Sequence, residues 1–473
     1  MDKIILSLLL LFPLPLAADG LPDLGDVSQT SISPQMERQI GEQSMLQIRA
    51  SEGYLDDPEL SDYLNRLGQR LVASSSEPGQ AFEFFVIDDS TVNAFALPGG
   101  FIGVNTGLLL LAQSESELAS VLSHEISHVT QHHLARMVSG RKYDSLAALA
   151  TVAVAILAAR SNPDALQAGI VGAQGGVLQR QLDFTREHEK EADRIGMGIL
   201  QRSGLDPHAM ATFFERLQTA TRLIEGNAPS YLRTHPLTTE RIADVGNRAQ
   251  QIPFKLVADS LDFQLMRARV IAAQKNPQDA VGFFEAALGE NKFGNPLAQR
   301  YGLVLALLRA RNIARAASEF DTLKHLAPPN PTLAALDGNI RQQTGKDSEI
   351  LDFYRAALKQ YPRHRALVFD YVSVLLNRER HDEALQILDR EVALDGNNAR
   401  LYELQARAYS ALGRRQEAHH VLAYHEILRG NLRGAIEQLE LAKRAGNDYY
   451  QLSTIETELK QYREILEAQR KRR

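Results

Sequence analysis

Residues 121–133 read VLSHEISHVTQHH. His124 and His128 stand four residues apart, one helical turn, and so share a helix face. Two imidazoles at that spacing can hold one Zn²⁺ through their ring nitrogens. Glu125 lies beside them. It is placed to take a proton from an attacking water and return it to a leaving amine. The neighbours Leu118, Val121, Leu122, Ile126 and Val129 are apolar, which predicts a buried helix. Two histidines and a glutamate in such a place need compensation for lost hydration. A metal ion provides it more readily than a set of satisfied core histidines.

A catalytic zinc takes three protein ligands and keeps a fourth position open. The third ligand must come from outside this stretch. The extended pattern HExxHxxGxxH needs a glycine and a further histidine where Gln131 and Leu134 stand. His132 and His133 are therefore read as histidines on the helix surface. A better source is REHEKEAD at residues 186–193. Glu189 and Asp193 lie four apart there. Glu189 can ligate an ion, and Asp193 can hold a ligating histidine in one tautomer. Periodicity alone leaves Glu187, His188 and Glu191 open as rivals.

Around these helices, SESELASVLSHEISHVTQHHLARM (residues 114–137) opens with a capping pair, Ser114 and Glu117, and keeps helical periodicity for about six turns. Helical patterns also begin at Met36 and span Pro58–Ala73. Phe82–Ile87 predicts a strand, and Val92–Val104 a strand or hairpin turning at Pro98-Gly99-Gly100. Residues 145–159 and 164–178 are two apolar helical stretches, each too short to span a bilayer comfortably. Three roles stay open for them: contact with a membrane surface, a cover over the cleft, or a buried hairpin.

The second half repeats. Ala280, Ala316, Ile350, Ala384 and Ala418 are separated by 36 residues and then three times by 34. Four residues after each comes a large one: Phe284, Phe320, Tyr354, Leu388 and Leu422. Pro328 and Pro362 are also 34 apart. This is the period of tetratricopeptide helix pairs, which stack into a solenoid with a concave binding face. Residues 430–446 predict a last, atypical repeat.

The chain has 473 residues, long enough for two domains. Its net charge of −6 favours no nucleic-acid partner. Lys3, the apolar run Ile4–Phe12, Pro13, Pro15 and Ala17-Ala18 predict a cleavable signal peptide over residues 1–18. There is no cysteine, hence neither a lipid-anchor site nor disulfides. Export without disulfides points to the periplasm of a Gram-negative bacterium.

HExxH followed by ExEADxxG (residues 189–196) resembles the HtpX-like and CAAX-prenyl-endopeptidase-like gluzincin metallopeptidases. The resemblance implies that Glu189 is the third zinc ligand, with Asp193 behind a ligating histidine. NAFALPGG (residues 93–100) is similar to the family's element before the active helix. That likeness implies an edge strand in which Asn93, Ala94, Phe95 and Ala96 line the substrate cleft. THPLTTERI (residues 234–242) is similar to a later HPxxxxRI element. By that likeness His235 lies near zinc, stabilising an oxyanion or filling the fourth position. Arg241 serves the oxyanion or orients a carboxylate.

The expected fold is mainly α: a zincin-like α+β metallopeptidase domain with a small β-sheet (residues 19–255), then an all-α tetratricopeptide-repeat solenoid (residues 256–473). The combination resembles Gram-negative periplasmic members of this family. It implies degradation of stalled or misfolded outer-membrane β-barrel proteins, a chaperone role, and repeats that dock onto the β-barrel assembly machinery. The rival reading is a repeat-based assembly factor whose zinc site is latent, closed by His235. A purely structural site needs no Glu125, which favours the enzyme. A repeat domain also suits protein partners better than a small-molecule hydrolase.

Overall fold

The computed structural model describes residues 33–138, 175–223, 230–290, 294–345 and 349–470. The expected signal peptide (residues 1–18), and residues 145–174 of the apolar stretches, lie outside them. The helices of the first half are α1 (Pro34–Arg49), α2 (Pro58–Val72), α3 (Thr106–Leu111), α4 (Glu115–Thr130), α5 (His133–Val138), α6 (Gly175–Arg202), α7 (His208–Leu223), α8 (Ser230–Thr234) and α9 (Thr239–Gln251). The strands are β1 (Tyr54–Leu55), β2 (Glu83–Ile87), β3 (Ala94–Leu97) and β4 (Phe101–Asn105).

The sheet order is β1-β2-β4-β3. β2 runs parallel to β4, and β3 is antiparallel to it, so β3 forms an edge. The turn between β3 and β4 needs positive φ at Gly99 (74°) and Gly100 (91°), which glycine adopts at least cost. Helix α4 is the centre of this half, and all its residues but His128 are buried. Its start is fixed by a reciprocal cap. Ser114 Oγ accepts from Glu117 N at 3.1 Å, and Glu117 Oε2 accepts from Gln113 N at 2.7 Å. Glu117 also accepts from Arg216 on α7, tying the two helices together.

The second half is a run of helix pairs: α10 (Leu261–Gln274) with α11 (Pro277–Glu290), α12 (Pro296–Arg309) with α13 (Ile313–Leu326), α14 (Pro331–Thr344) with α15 (Ile350–Gln360), α16 (Arg365–Asn377) with α17 (His381–Leu394), α18 (Ala399–Ala411) with α19 (Arg415–Leu428), and α20 (Leu432–Ala445) with α21 (Tyr449–Arg470). The repeat positions fall on the second helix of each of the first five pairs. Ala280, Ala316, Ile350, Ala384 and Ala418 are buried, as are Phe284, Phe320, Tyr354 and Leu388. Leu422 is only half-buried. Pro328 and Pro362 follow α13 and α15 by two residues, where they bar continuation of each helix.

The two halves meet at α2. Glu59 is 4% exposed and accepts from Thr332 Oγ1 at 2.7 Å, with His364 Nε2 at 3.1 Å. Asp57 caps α2 and accepts from Arg269 Nε at 2.7 Å. Asp62 accepts from the backbone N of Arg365 at 3.1 Å. Burial alone would raise the Glu59 pKa. The hydrogen bond and charge of His364, with Arg269, hold it below its usual value.

Candidate metal centre

Helices α4 and α6 pack closely because Gly196 has no side chain. A Cβ there would sit 3.1 Å from His124 N and 3.3 Å from His124 Cα. Two helical turns before Gly196, Glu189 reaches across to the histidines of α4. The main-chain N of Tyr231 donates to Val92 O at 2.9 Å, anchoring α8 beside the start of β3. His235 follows α8 directly, and its ring stacks on Tyr231 at 4.7 Å.

Four side chains then converge. His124 Nε2 lies 3.0 Å from His128 Nε2, 3.2 Å from His235 Nδ1 and 3.3 Å from Glu189 Oε2. Glu189 is 3.5 Å from His128 Nε2 and 3.1 Å from His235 Nδ1. An ion held tetrahedrally by bonds of about 2.0–2.1 Å needs donors about 3.3 Å apart. The observed separations are close to that. The donor set therefore fits a small divalent cation, and among the described residues it forms the group able to hold one.

The electrostatics agree. Burial would lower the pKa of His124, but hydrogen bonds to Asp193 and Glu189 push it up to about 10. Burial would raise Glu189, yet the charges of His235 and Arg241 hold it well below the carboxylate range. Burial drives His128 well below its ordinary value, and the charge of Glu189 does not offset this. The carboxylates thus draw a positive charge into the cluster. A bound cation meets that demand more fully than a proton on His124.

Asp193 Oδ1 stands 2.9 Å from His124 Nδ1, so a proton on Nδ1 faces the carboxylate while Nε2 faces the cluster. Arg241 grips Asp193 with two bonds of 2.7 Å, reaches Glu189 at 2.9 Å, and donates to Pro236 O at 2.9 Å. Of the two roles expected of Arg241, these contacts fit the orienting one. Glu125 Oε1 lies 3.3 Å from His235 Nε2. His235 thus faces the cluster with one ring nitrogen and Glu125 with the other.

Phe95 and Ala96 line the cleft over this cluster, together with Pro98, Glu37 and Val129. Asn93 and Ala94 do not. Asn93 is buried against Thr234, and Ala94 faces the core. The free volume of the cleft is about 60 Å³. At roughly 10–15 Å³ per water position, that holds a handful of waters.

Of the rivals to Glu189, Glu187 is exposed beside Lys190. His188 stacks on His133, and Glu191 lies 3.2 Å from His133 Nε2. The reading of His132 and His133 as surface histidines is corrected. The helix expected to run unbroken through this region ends at Thr130. His132 then takes a left-handed φ of 51°, with Nδ1 2.8 Å from the buried Glu37. That kink turns His133 inward, to 3% exposure.

The sequence matches peptidase family M48 over residues 58–249 and the tetratricopeptide repeat over residues 348–408. The beta-barrel assembly-enhancing protease of Escherichia coli (strain K12) is 34% identical over 429 residues, covering 90% of this chain and 87% of that protein. The protein of the same name from Yersinia pestis is 32% identical over 89% of this chain and 86% of its own length. The mitochondrial metalloendopeptidase OMA1 of Schizosaccharomyces pombe is 33% identical over 39% of this chain and 51% of that protein.

Proposed function

The chain belongs to peptidase family M48 and is a metalloprotease, and from that premise we propose that it is a zinc-dependent endopeptidase of the Gram-negative periplasm, acting on stalled or misfolded outer-membrane β-barrel proteins. The observation that carries the reading is the convergence of His124, His128 and Glu189 with Glu125 alongside. His124, His128 and Glu189 would hold the ion. When bound, Zn²⁺ supplies Lewis-acid polarisation of the scissile carbonyl and of the attacking water.

The protein's own groups do the rest. Glu125 takes the proton of the attacking water and delivers it to the leaving amine. Asp193 and Arg241 keep His124 and Glu189 oriented. Among the described residues β3 is paired on one side only, so an extended substrate segment can add to its outer edge beside Phe95 and Ala96. The names of the two long relatives support a role in outer-membrane protein assembly. The repeats would dock onto the assembly machinery, and among the described residues no helix is long and apolar enough to cross a membrane.

A second reading is favoured by His235. Its Nδ1 lies 3.2 Å from His124 Nε2 and 3.1 Å from Glu189, within reach of an ion held by the other three, and it would then fill the fourth position. In that reading the site is latent until His235 withdraws, and the repeats act as an assembly factor meanwhile. The test is cleavage of an unfolded outer-membrane β-barrel precursor and of the same barrel folded in detergent, by wild type and His235→Ala. The account expects selective cleavage of the unfolded form, faster in His235→Ala. Equal cleavage of both forms would remove the quality-control reading. Slower cleavage by His235→Ala would instead assign His235 to oxyanion stabilisation.

A further inference from the structure

His133 lies outside the ion-binding group, yet it is buried against it. Its Nδ1 is 2.8 Å from His128 Nδ1, and its Nε2 is 3.2 Å from Glu191 Oε2. Arg136 Nη1 donates to the same Glu191 oxygen at 3.3 Å. The ring stacks flat on His188, with centroids 4.1 Å apart and planes 4° from parallel. Stacking fixes the plane of the ring, and the contacts of its two nitrogens with His128 and Glu191 fix which way round it sits.

The direction of the hydrogen bonds follows from the ends of this chain. A carboxylate paired with Arg136 can only accept, so His133 carries its proton on Nε2. Its Nδ1 is then a bare acceptor. His128 must supply the hydrogen from Nδ1, which leaves His128 Nε2 unprotonated and facing His124 and Glu189. Asp193 does the same for His124 with a carboxylate. For His128 the acceptor is a second imidazole.

We propose that His133 is a positioning residue for the metal centre: its Nδ1 accepts the Nδ1–H of His128, and Glu191 with Arg136 fixes the direction of that bond. The inference rests on the reading of His124, His128 and Glu189 as metal ligands. Partners of this kind raise ligand basicity and hold the ring, and removing one typically costs 10–100-fold in metal affinity.

The experiment uses the full chain, with Zn²⁺ affinity measured by competition against a chromophoric chelator and site geometry read from the visible spectrum of the Co²⁺ form. Four proteins are compared: wild type, His133→Phe, His133→Asn and His128→Ala. Phenylalanine keeps the stack on His188 but has no acceptor. Asparagine places a carbonyl oxygen near the position of Nδ1. The expected result is a loss of about 10–100-fold in Zn²⁺ affinity for His133→Phe and recovery to within about threefold for His133→Asn, with an altered Co²⁺ spectrum in the first only. Wild-type affinity in His133→Phe, or equal losses in the phenylalanine and asparagine variants, would overturn the proposal while leaving the metal ligands standing. Equal binding by wild type and His128→Ala would overturn both.

Discussion

Two buried polar clusters can be compared in this molecule, one under the cleft and one between its halves. At the interface, carboxylates meet donors. Glu59 faces Thr332 and His364, and Asp57 faces Arg269. Beneath the cleft, atoms able to ligate a metal face one another. Two imidazole nitrogens lie 3.0 Å apart, a third is 3.2 Å away, and Glu189 closes the group. The interface gives each of these carboxylates a donor, so it holds the halves together without any added group. The cleft cluster gathers four possible ligand atoms around one point, and a single cation there would satisfy them together. A buried ion pair is thus no sign of a site by itself, whereas converging ligand atoms are.

The largest expected break in this comparison is Arg241→Met. It leaves Asp193 and Glu189 buried without their shared guanidinium, and breaking a buried pair of this kind costs about 3–5 kcal/mol. Denaturant unfolding with and without chelator measures it. The loss should be greater in the chelated protein, because a bound cation still neutralises Glu189. Equal losses would mean that the cluster is organised without a metal.

A smaller effect is expected at the interface. Glu59→Gln removes a charged acceptor from two buried donors, worth about 1–3 kcal/mol, and chelator should not alter the difference. Its pH dependence sharpens the test. The folded pKa of Glu59 lies below its ordinary value of 4.5, so its contribution is complete above about that pH. It is lost as the pH falls through the folded value. Melting curves of wild type and Glu59→Gln should therefore converge below pH 4.5. A gap that widens in acid would contradict the assigned contacts.

Much of this was legible in the sequence, wherever one period governed it. The spacing of His124 and His128 set the active helix, and the 34-residue register set the repeats. Glu189 and Asp193 shared a helix face, and the family resemblance separated Glu189 from Glu187, His188 and Glu191. What escaped notice broke a period or joined distant residues. The left-handed turn at His132 interrupts the helical phase, so nothing local signalled that His133 turns inward. Arg241 meets Asp193 across 48 residues, and His364 meets Glu59 across 305. Helix α10 precedes the first repeat alanine, Ala280, and carries no marker of the register.

The most direct measurement is zinc content together with casein cleavage for wild type and Glu125→Gln. The account predicts about one zinc per chain in both proteins, with cleavage by wild type and a fall of roughly 10²–10⁴-fold in the variant. Wild type without zinc after purification free of chelator, or a Glu125→Gln variant as active as wild type, would contradict it.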